Sequence, residues 1–244
     1  MSELKDDELY ILGNGASLKE VDLIHYLEKE KTIGTCVAFR YWKKIGIYPT
    51  YYCCVDGAVL KSHIESIKEM IQKKKCEVFL LCASIIQEWK DILQYDNVLY
   101  IQQLARSEMN PFRYLVDYCS GSSAVLFGYV LGYKNLNLLG MDCKYIEFIP
   151  ECEELKDGTL KIIKEVKNNP NYFIDYYQQI GDIYNPPNVD TVHKKSWQDL
   201  RNLLLMYNGL TGDNIKLYNY NHNDTLDKFF KRKELIELPQ NDMN

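Results

Sequence analysis

The chain of 244 residues lacks any apolar stretch long enough to cross a bilayer: its longest, 78–86, is under half of the roughly 20 residues a spanning helix needs. Its acidic start, MSELKDDELY, carries no signal-peptide pattern, so a soluble, unprocessed cytoplasmic chain is expected. Positive charge is also short. Against 34 Asp and Glu stand 29 Lys and Arg, giving a formal charge of −5 and a pI near 5.5, which argues against a general nucleic-acid binder. No two of the eight cysteines have the Cys-x-x-Cys spacing of a zinc or thioredoxin-like site, and the four histidines form no His-Glu-x-x-His pattern. A structural metal is therefore not expected, and the cysteines read as reduced, small buried residues. Internal repeats and low-complexity tracts are missing too.

What the sequence does have is 46% hydrophobic residues, arranged as short apolar runs that alternate with longer amphipathic ones. That alternation marks strands and crossover helices feeding a largely parallel sheet. Seven strands are predicted, at 9–12, 32–37, 51–55, 78–82, 98–101, 136–139 and 215–218. Helices are predicted over 62–72, with Ile64, Ile67 and Ile71 on one face, over 122–131 as a buried small-residue helix, and over 196–207, with Trp197, Leu200, Leu203 and Leu204 on one side. The expectation is one doubly wound α/β domain over 1–244. After Asp142 the chain turns acidic, and 168–188 is dense in Asn, Tyr and Pro. So long a connection is usually a functional lid or disordered. Its aromatics favour a tyrosine-rich lid, and 146–195 is read as an insertion that faces the substrate.

Chemistry concentrates at two turns. The first strand runs into Gly13-Asn14-Gly15-Ala16-Ser17, where glycines admit a close anion and helix N–H groups point at it. The spacing is neither a dinucleotide fingerprint nor a Walker A loop. Two readings stand: a nucleotide phosphate site, or a structural turn capped by Ser17. The second turn, Cys119-Ser120-Gly121-Ser122-Ser123, opens the small-residue helix, and Ser122 reads either as a pocket residue or as a cap. Asp56 and Asp142 fall at strand carboxyl ends, where open α/β sheets bind ligands; each would hold a ribose hydroxyl or cap a helix. Of the histidines, His193 lies just before a late helix, whereas His25, His63 and His222 read as surface residues.

The run Ile11-Leu-Gly-Asn-Gly-Ala-Ser-Leu-Lys-Glu20, together with Ser120-Gly121-Ser-Ser-Ala-Val, Leu131-Gly-Tyr-Lys and Leu139-Gly-Met-Asp142, resembles bacterial sialyltransferases of glycosyltransferase family 42. The same blocks resemble the broader 6-hydroxymethylpterin diphosphokinase-like family with its flagellin-glycosylation relatives. The resemblance covers roughly residues 8–145, with a weaker echo from His193 onward. It implies a Rossmann-like, GT-A-like variant fold and an inverting, metal-independent transfer of an acidic sugar, sialic acid or a relative, from a cytidine monophosphate (CMP) donor to a glycan. Carried over residue by residue, it implies donor binding by Asn14, Gly15, Ser17, Asp56, Ser120, Gly121, Ser122, Asp142 and Tyr145, and a general base at His193. A histidine suits that role because its pKa near 6.5 lets it accept a hydroxyl proton at neutral pH.

Tyr172, Tyr176 and Tyr184 of the lid are candidates to bond the leaving phosphate, or they pack the lid onto the sheet. Asp117 stands where the family carries an arginine, and the region 36–38 stands where it carries an asparagine. The Asp-x-Asp metal motif is absent, so no cofactor is expected. The expected partners are a nucleotide-sugar donor and a glycan or glycolipid acceptor, without nucleic acid, in a chain able to form homo-oligomers. The basic, Phe-containing stretch 226–233 is read as a solvated helix end or a peripheral contact with the inner face of the membrane. The alternatives are an ATP-dependent diphosphokinase acting on a pterin alcohol, with Mg²⁺ on carboxylates such as Asp56 or Asp142, and a non-catalytic subunit of a surface-glycan system.

Overall fold

The computed structural model describes residues 5–82, 89–104, 119–145, 149–186, 192–221 and 224–233. In chain order its strands are β1 (Lys5–Leu12), β2 (Lys31–Thr35), β3 (Tyr51–Cys54), β4 (Val78–Leu81), β5 (Val98–Tyr100), β6 (Tyr133–Leu139), β7 (Cys152–Glu154), β8 (Leu160–Ile162), β9 (Ile183–Tyr184), β10 (Lys216–Asn219) and β11 (Lys231–Arg232). Its α-helices are α1 (Leu23–Lys29), α2 (Phe39–Ile45), α3 (Gly57–Gln72), α4 (Ile101–Leu104), α5 (Ser120–Val130), α6 (Lys194–Thr211) and α7 (Asp224–Asp227).

Eight strands form one sheet in the order β11-β10-β6-β1-β2-β3-β4-β5, and each described pairing is parallel. The seven predicted strands are the seven longest of these eight; the eighth, β11, is a two-residue edge strand. From β1 the chain winds outward through β2, β3, β4 and β5, then returns to place β6 on the other side of β1. The order reverses between β1 and β6, and in open α/β sheets the crevice at such a switch point is where ligands bind.

Helix α5 is buried from Gly121 through Tyr129, as an apolar helix without a polar face must be. It packs on β1, β2, β3 and β6, with α6 against it, and Trp197 and Leu200 of α6 are almost fully enclosed. Helix α3 starts five residues before the predicted helix, because the Asp56 carboxylate caps it by accepting from the Ala58 and Val59 N–H groups at 2.9 and 3.1 Å.

The expected lid region holds structure that the sequence did not suggest. Strands β7, β8 and β9 make a small antiparallel sheet over its own cluster of Ile149, Ile162 and Val166. Between β8 and β9, Phe173, Ile174 and Tyr177 turn inward and join the main core. The tyrosine-rich stretch is thus packed onto the body by buried aromatics. At the other end, Phe230 is buried against Trp197, with ring centroids 5.9 Å apart, and Lys231–Arg232 is the edge strand. This corrects the reading of 226–233: Phe230 belongs to the core rather than to a solvated or membrane-facing surface.

Candidate active site

A cleft of about 540 Å³ opens at the carboxyl ends of β1, β2, β3 and β6, at the switch point, a volume suited to a small-molecule ligand. Both predicted turns reach it. The Gly13 and Gly15 N–H groups donate to the Leu139 and Gly140 carbonyls at 2.7 and 2.9 Å, so the first turn is stitched to the end of β6. A Cβ on Gly13 would lie 2.2 Å from the Gly140 oxygen, and one on Gly15 would lie 2.3 Å from the Asp142 carboxylate; only glycine allows this approach.

Asp142 accepts from the Ser17 amide at 3.0 Å and also from the Ser17 hydroxyl. The anion seated on these two Ser17 groups is therefore the chain's own carboxylate, and Ser17 does not line the cleft. Asn14 does. Turned so that its oxygen faces Tyr177, its amide accepts from the Tyr177 hydroxyl at 2.9 Å and donates to the Thr35 and Gly13 carbonyls at 3.2 and 3.0 Å. The Phe173 N–H donates to the Asn14 carbonyl at 3.2 Å, which fastens the tyrosine-rich stretch to the turn.

At the second turn Ser120 and Gly121 line the cleft, and the Ser120 hydroxyl accepts from the Val55 N–H at 3.2 Å. Ser122 is fully buried and shares a 2.5 Å hydrogen bond with Ser196, while both hydroxyls accept from the Cys119 N–H. Its place is that of a cap, which ties the start of α5 to α6. Asp56 lines the cleft while capping α3, and it accepts from the Asn185 amide at 2.9 Å.

His193, at the start of α6, reaches the cleft together with Tyr145, Tyr172 and Tyr184. Its ring meets Tyr145 edge-on, with centroids 6.3 Å apart. Burial lowers the His193 pKa below the usual imidazole value, and the negative charge of Asp56 opposes that shift in part. The imidazole is thus neutral at pH 7, with a carboxylate nearby to favour the protonated form once a proton arrives. Burial also pushes the Tyr145 hydroxyl up to about 12 and raises Tyr172, so both remain hydrogen-bond donors at neutral pH. Tyr172 stacks on Tyr177 at 3.9 Å. Tyr176 points elsewhere, under the Lys44 ammonium at 4.9 Å, and does not line the cleft. Asp117 and His222 lie outside the described residues.

Sequence reasoning missed one group of cleft residues. His63, expected at the surface, is 8% exposed and lines the cleft. Burial brings its pKa down to about 4; the Asp182 charge opposes that shift, and the smaller effect of Arg40 adds to it. The signal was available: His63 follows Leu60 by three positions and precedes Ile67 by four, on the buried face of α3. Asp182 sits 3.9 Å from His63 Nε2 and is held by Arg40 through two bonds of 2.6 and 2.8 Å. Arg40 also donates to the Tyr177 carbonyl at 2.5 Å. These contacts between distant segments leave no local pattern in the sequence.

Among the described residues no helix is long and apolar enough to cross a membrane, and no group of three or more His, Cys, Asp or Glu is placed to hold a metal ion. No family model matches the chain, and no curated protein does. Other solved structures share its architecture. The sialyltransferase CstII from Campylobacter jejuni, in complex with a substrate analogue, cytidine-5′-monophosphate, is 17% identical with a TM-score of 0.53, over 95% of this chain and 86% of that one. MAf glycosyltransferase from Magnetospirillum magneticum AMB-1 is 14% identical with a TM-score of 0.55, over 96% of this chain, which spans about a third (34%) of that protein. The fold, a mostly parallel eight-stranded α/β sheet, is one that this chain shares with a sialyltransferase and a glycosyltransferase.

Proposed function

We propose that the protein is an inverting glycosyltransferase that moves an acidic sugar from a CMP-sugar donor to a glycan hydroxyl. The observation that carries this reading is a neutral, half-buried His193 facing the switch-point cleft, with Asp56 close enough to act on its charge. The likeness in fold to a CMP-bound sialyltransferase supports the choice of donor.

In the proposed reaction the acceptor oxygen attacks the anomeric carbon from the face opposite the phosphate. The bond from that carbon to the phosphate oxygen breaks, CMP departs, and the acceptor proton passes to the His193 imidazole. Asp56 favours the resulting imidazolium. Negative charge gathering on the phosphate is met by hydrogen-bond donors, and Tyr145 and Tyr172 are assigned that role because burial keeps both protonated. Asn14, Gly15, Ser120 and Gly121 form the donor side of the cleft, and Ser17, through Asp142, holds the first turn in shape. Tyr184 lines the same cleft.

A magnesium-dependent diphosphokinase would need free carboxylates. Both Asp142 oxygens are taken by Ser17, and one Asp56 oxygen by the start of α3 and Asn185, so these two carboxylates offer a cation no free pair. The test is calorimetric titration with CMP, UDP and ATP, each with Mg²⁺ and with EDTA, followed by turnover with a CMP-sugar. CMP binding that survives EDTA is expected. Exchanging His193→Ala should leave that binding in place and lower kcat by about 10²–10⁴-fold. Unchanged turnover in the variant removes His193 from the mechanism, and ATP binding that requires Mg²⁺ overturns the transferase reading.

A further inference from the structure

Helix α3 gives the cleft more than Asp56. Asp56, Val59 and His63 all line it, at the spacing that keeps residues on one helical face. At 1.5 Å of rise per residue, His63 lies about 10 Å beyond Asp56 along the helix. There α3 meets the stretch after β8 at two consecutive residues: the Ile183 N–H donates to the Ser62 hydroxyl at 2.9 Å, and Asp182 stands 3.9 Å from His63 Nε2.

Asp182 has little acceptor capacity left. Its Oδ2 accepts from Arg40 at 2.6 Å and from the Gln179 N–H at 2.7 Å, and its Oδ1 accepts from Arg40 at 2.8 Å. Of the roughly four lone-pair sites of a carboxylate, the one unused among the described residues is on Oδ1, the oxygen that faces His63 Nε2. The 3.9 Å between them is too long for a direct hydrogen bond, and no other described residue bonds a ring nitrogen of His63. His63 is more than nine-tenths buried, with its ring edge-on to Phe39 at 5.7 Å. An unpartnered imidazole and a spare carboxylate lone pair thus face each other in the cleft wall. An oxygen atom about 2.8 Å from each fits between them.

The charges select what that oxygen belongs to. Arg40 already cancels Asp182, so a cation gains little there, and the carboxylate repels an anion. Burial holds the His63 pKa at about 4, so at neutral pH its ring offers an N–H and no charge. A group that both donates and accepts suits the gap. We infer that His63 and Asp182 form a subsite for a sugar hydroxyl, which donates to Asp182 Oδ1 and accepts from His63 Nε2–H. The kind of ligand rests on the transferase reading, since a cleft that moves a sugar onto a glycan holds polyols on both sides of the reacting bond. The hydroxyl comes from the transferred sugar or from the acceptor. Both residues set specificity and touch no reacting atom: a sugar without that hydroxyl leaves two buried polar groups unpaired.

The test uses the full chain labelled with ¹⁵N in histidine, with the His63 signals at pH 7 identified by their loss in His63→Gln. Free N-acetylneuraminic acid stands for the transferred sugar, galactose for the acceptor and CMP for the nucleotide alone. The His63 Nε2–H signal should shift saturably with one or both sugars and not with CMP, and a sugar that acts names the source. No shift with either sugar means that the gap holds water only and overturns the inference, as does an equal shift with CMP. Saturation-transfer titration of the responding sugar should give an affinity about 3- to 10-fold weaker in His63→Leu and near that of the wild type in His63→Gln, whose amide keeps an N–H donor. Equal weakening in both variants marks a merely structural role and overturns it too. Calorimetric CMP binding is read on the same samples: its absence from the wild type defeats the transferase reading, while the sugar response judges the subsite separately.

Discussion

His63 shows how one side chain can set the acid limit of the whole chain. Its folded-state pKa of about 4 lies below the ordinary value of 6.5, so between those values the unfolded chain binds the extra proton first. The stability tied to neutral His63 is therefore complete above about pH 6.5 and is lost as pH falls toward about 4, by up to roughly 3 kcal/mol. Urea unfolding at a series of pH values should show this loss, and His63→Leu should flatten it. His193 has the same sign: its pKa also lies below the usual imidazole value, so the acid limb of kcat/KM should fall below that value too. The two histidines were unequally legible. Position before a late helix singled out His193, whereas only the Leu60–Ile67 spacing marked His63, and a histidine on an apolar helical face reads as a surface residue unless that face is followed closely.

At the scale of elements, legibility followed burial. The parallel strands are enclosed on both faces, as with the fully buried pattern of Tyr51–Cys54, and so appear in the sequence as short unbroken apolar runs. Strands β7 and β9 carry no such mark, because CEE and IY are too short and too exposed to show a period. What holds the small sheet in place is the Arg40–Asp182 pair, 15% and 12% exposed, together with the bond from the Ile183 N–H to the Ser62 hydroxyl at 2.9 Å. Removing one partner of a buried ion pair leaves the other charge uncompensated, which costs about 3–5 kcal/mol. Arg40→Met should lose that much by urea unfolding. Amide exchange in Arg40→Met should also rise first in residues 160–184, ahead of the main sheet; uniform exchange would show that the pair does not fasten this region in particular.

Seen as a whole, the molecule builds its cleft from segments far apart in the chain. The first turn is held by Asp142, 125 positions from Ser17, and His193, the proposed base, precedes a helix that begins later still. The doubly wound class was visible from the order of elements, because that order is a local property. The identity of the cleft residues was visible only where a motif marked them, since side chains that meet across the sheet share no spacing.

The insertion of β6 between β1 and β10 also governs how the chain acquires its shape. Strand β1 must keep one edge unsatisfied until more than half of the sequence has been ordered, and loop-closure entropy opposes that meeting until the contacts form. Such high contact order slows folding. Recovery of the proposed CMP binding during refolding should therefore coincide with the slowest phase of tyrosine fluorescence rather than with early collapse, and binding that returned in the earliest phase would place the β1–β6 junction first. During synthesis the consequence is directional: β1 to β5 emerge as a sheet with an open inner edge, and that edge stays exposed to wrong partners until Tyr133–Leu139 arrives to close it.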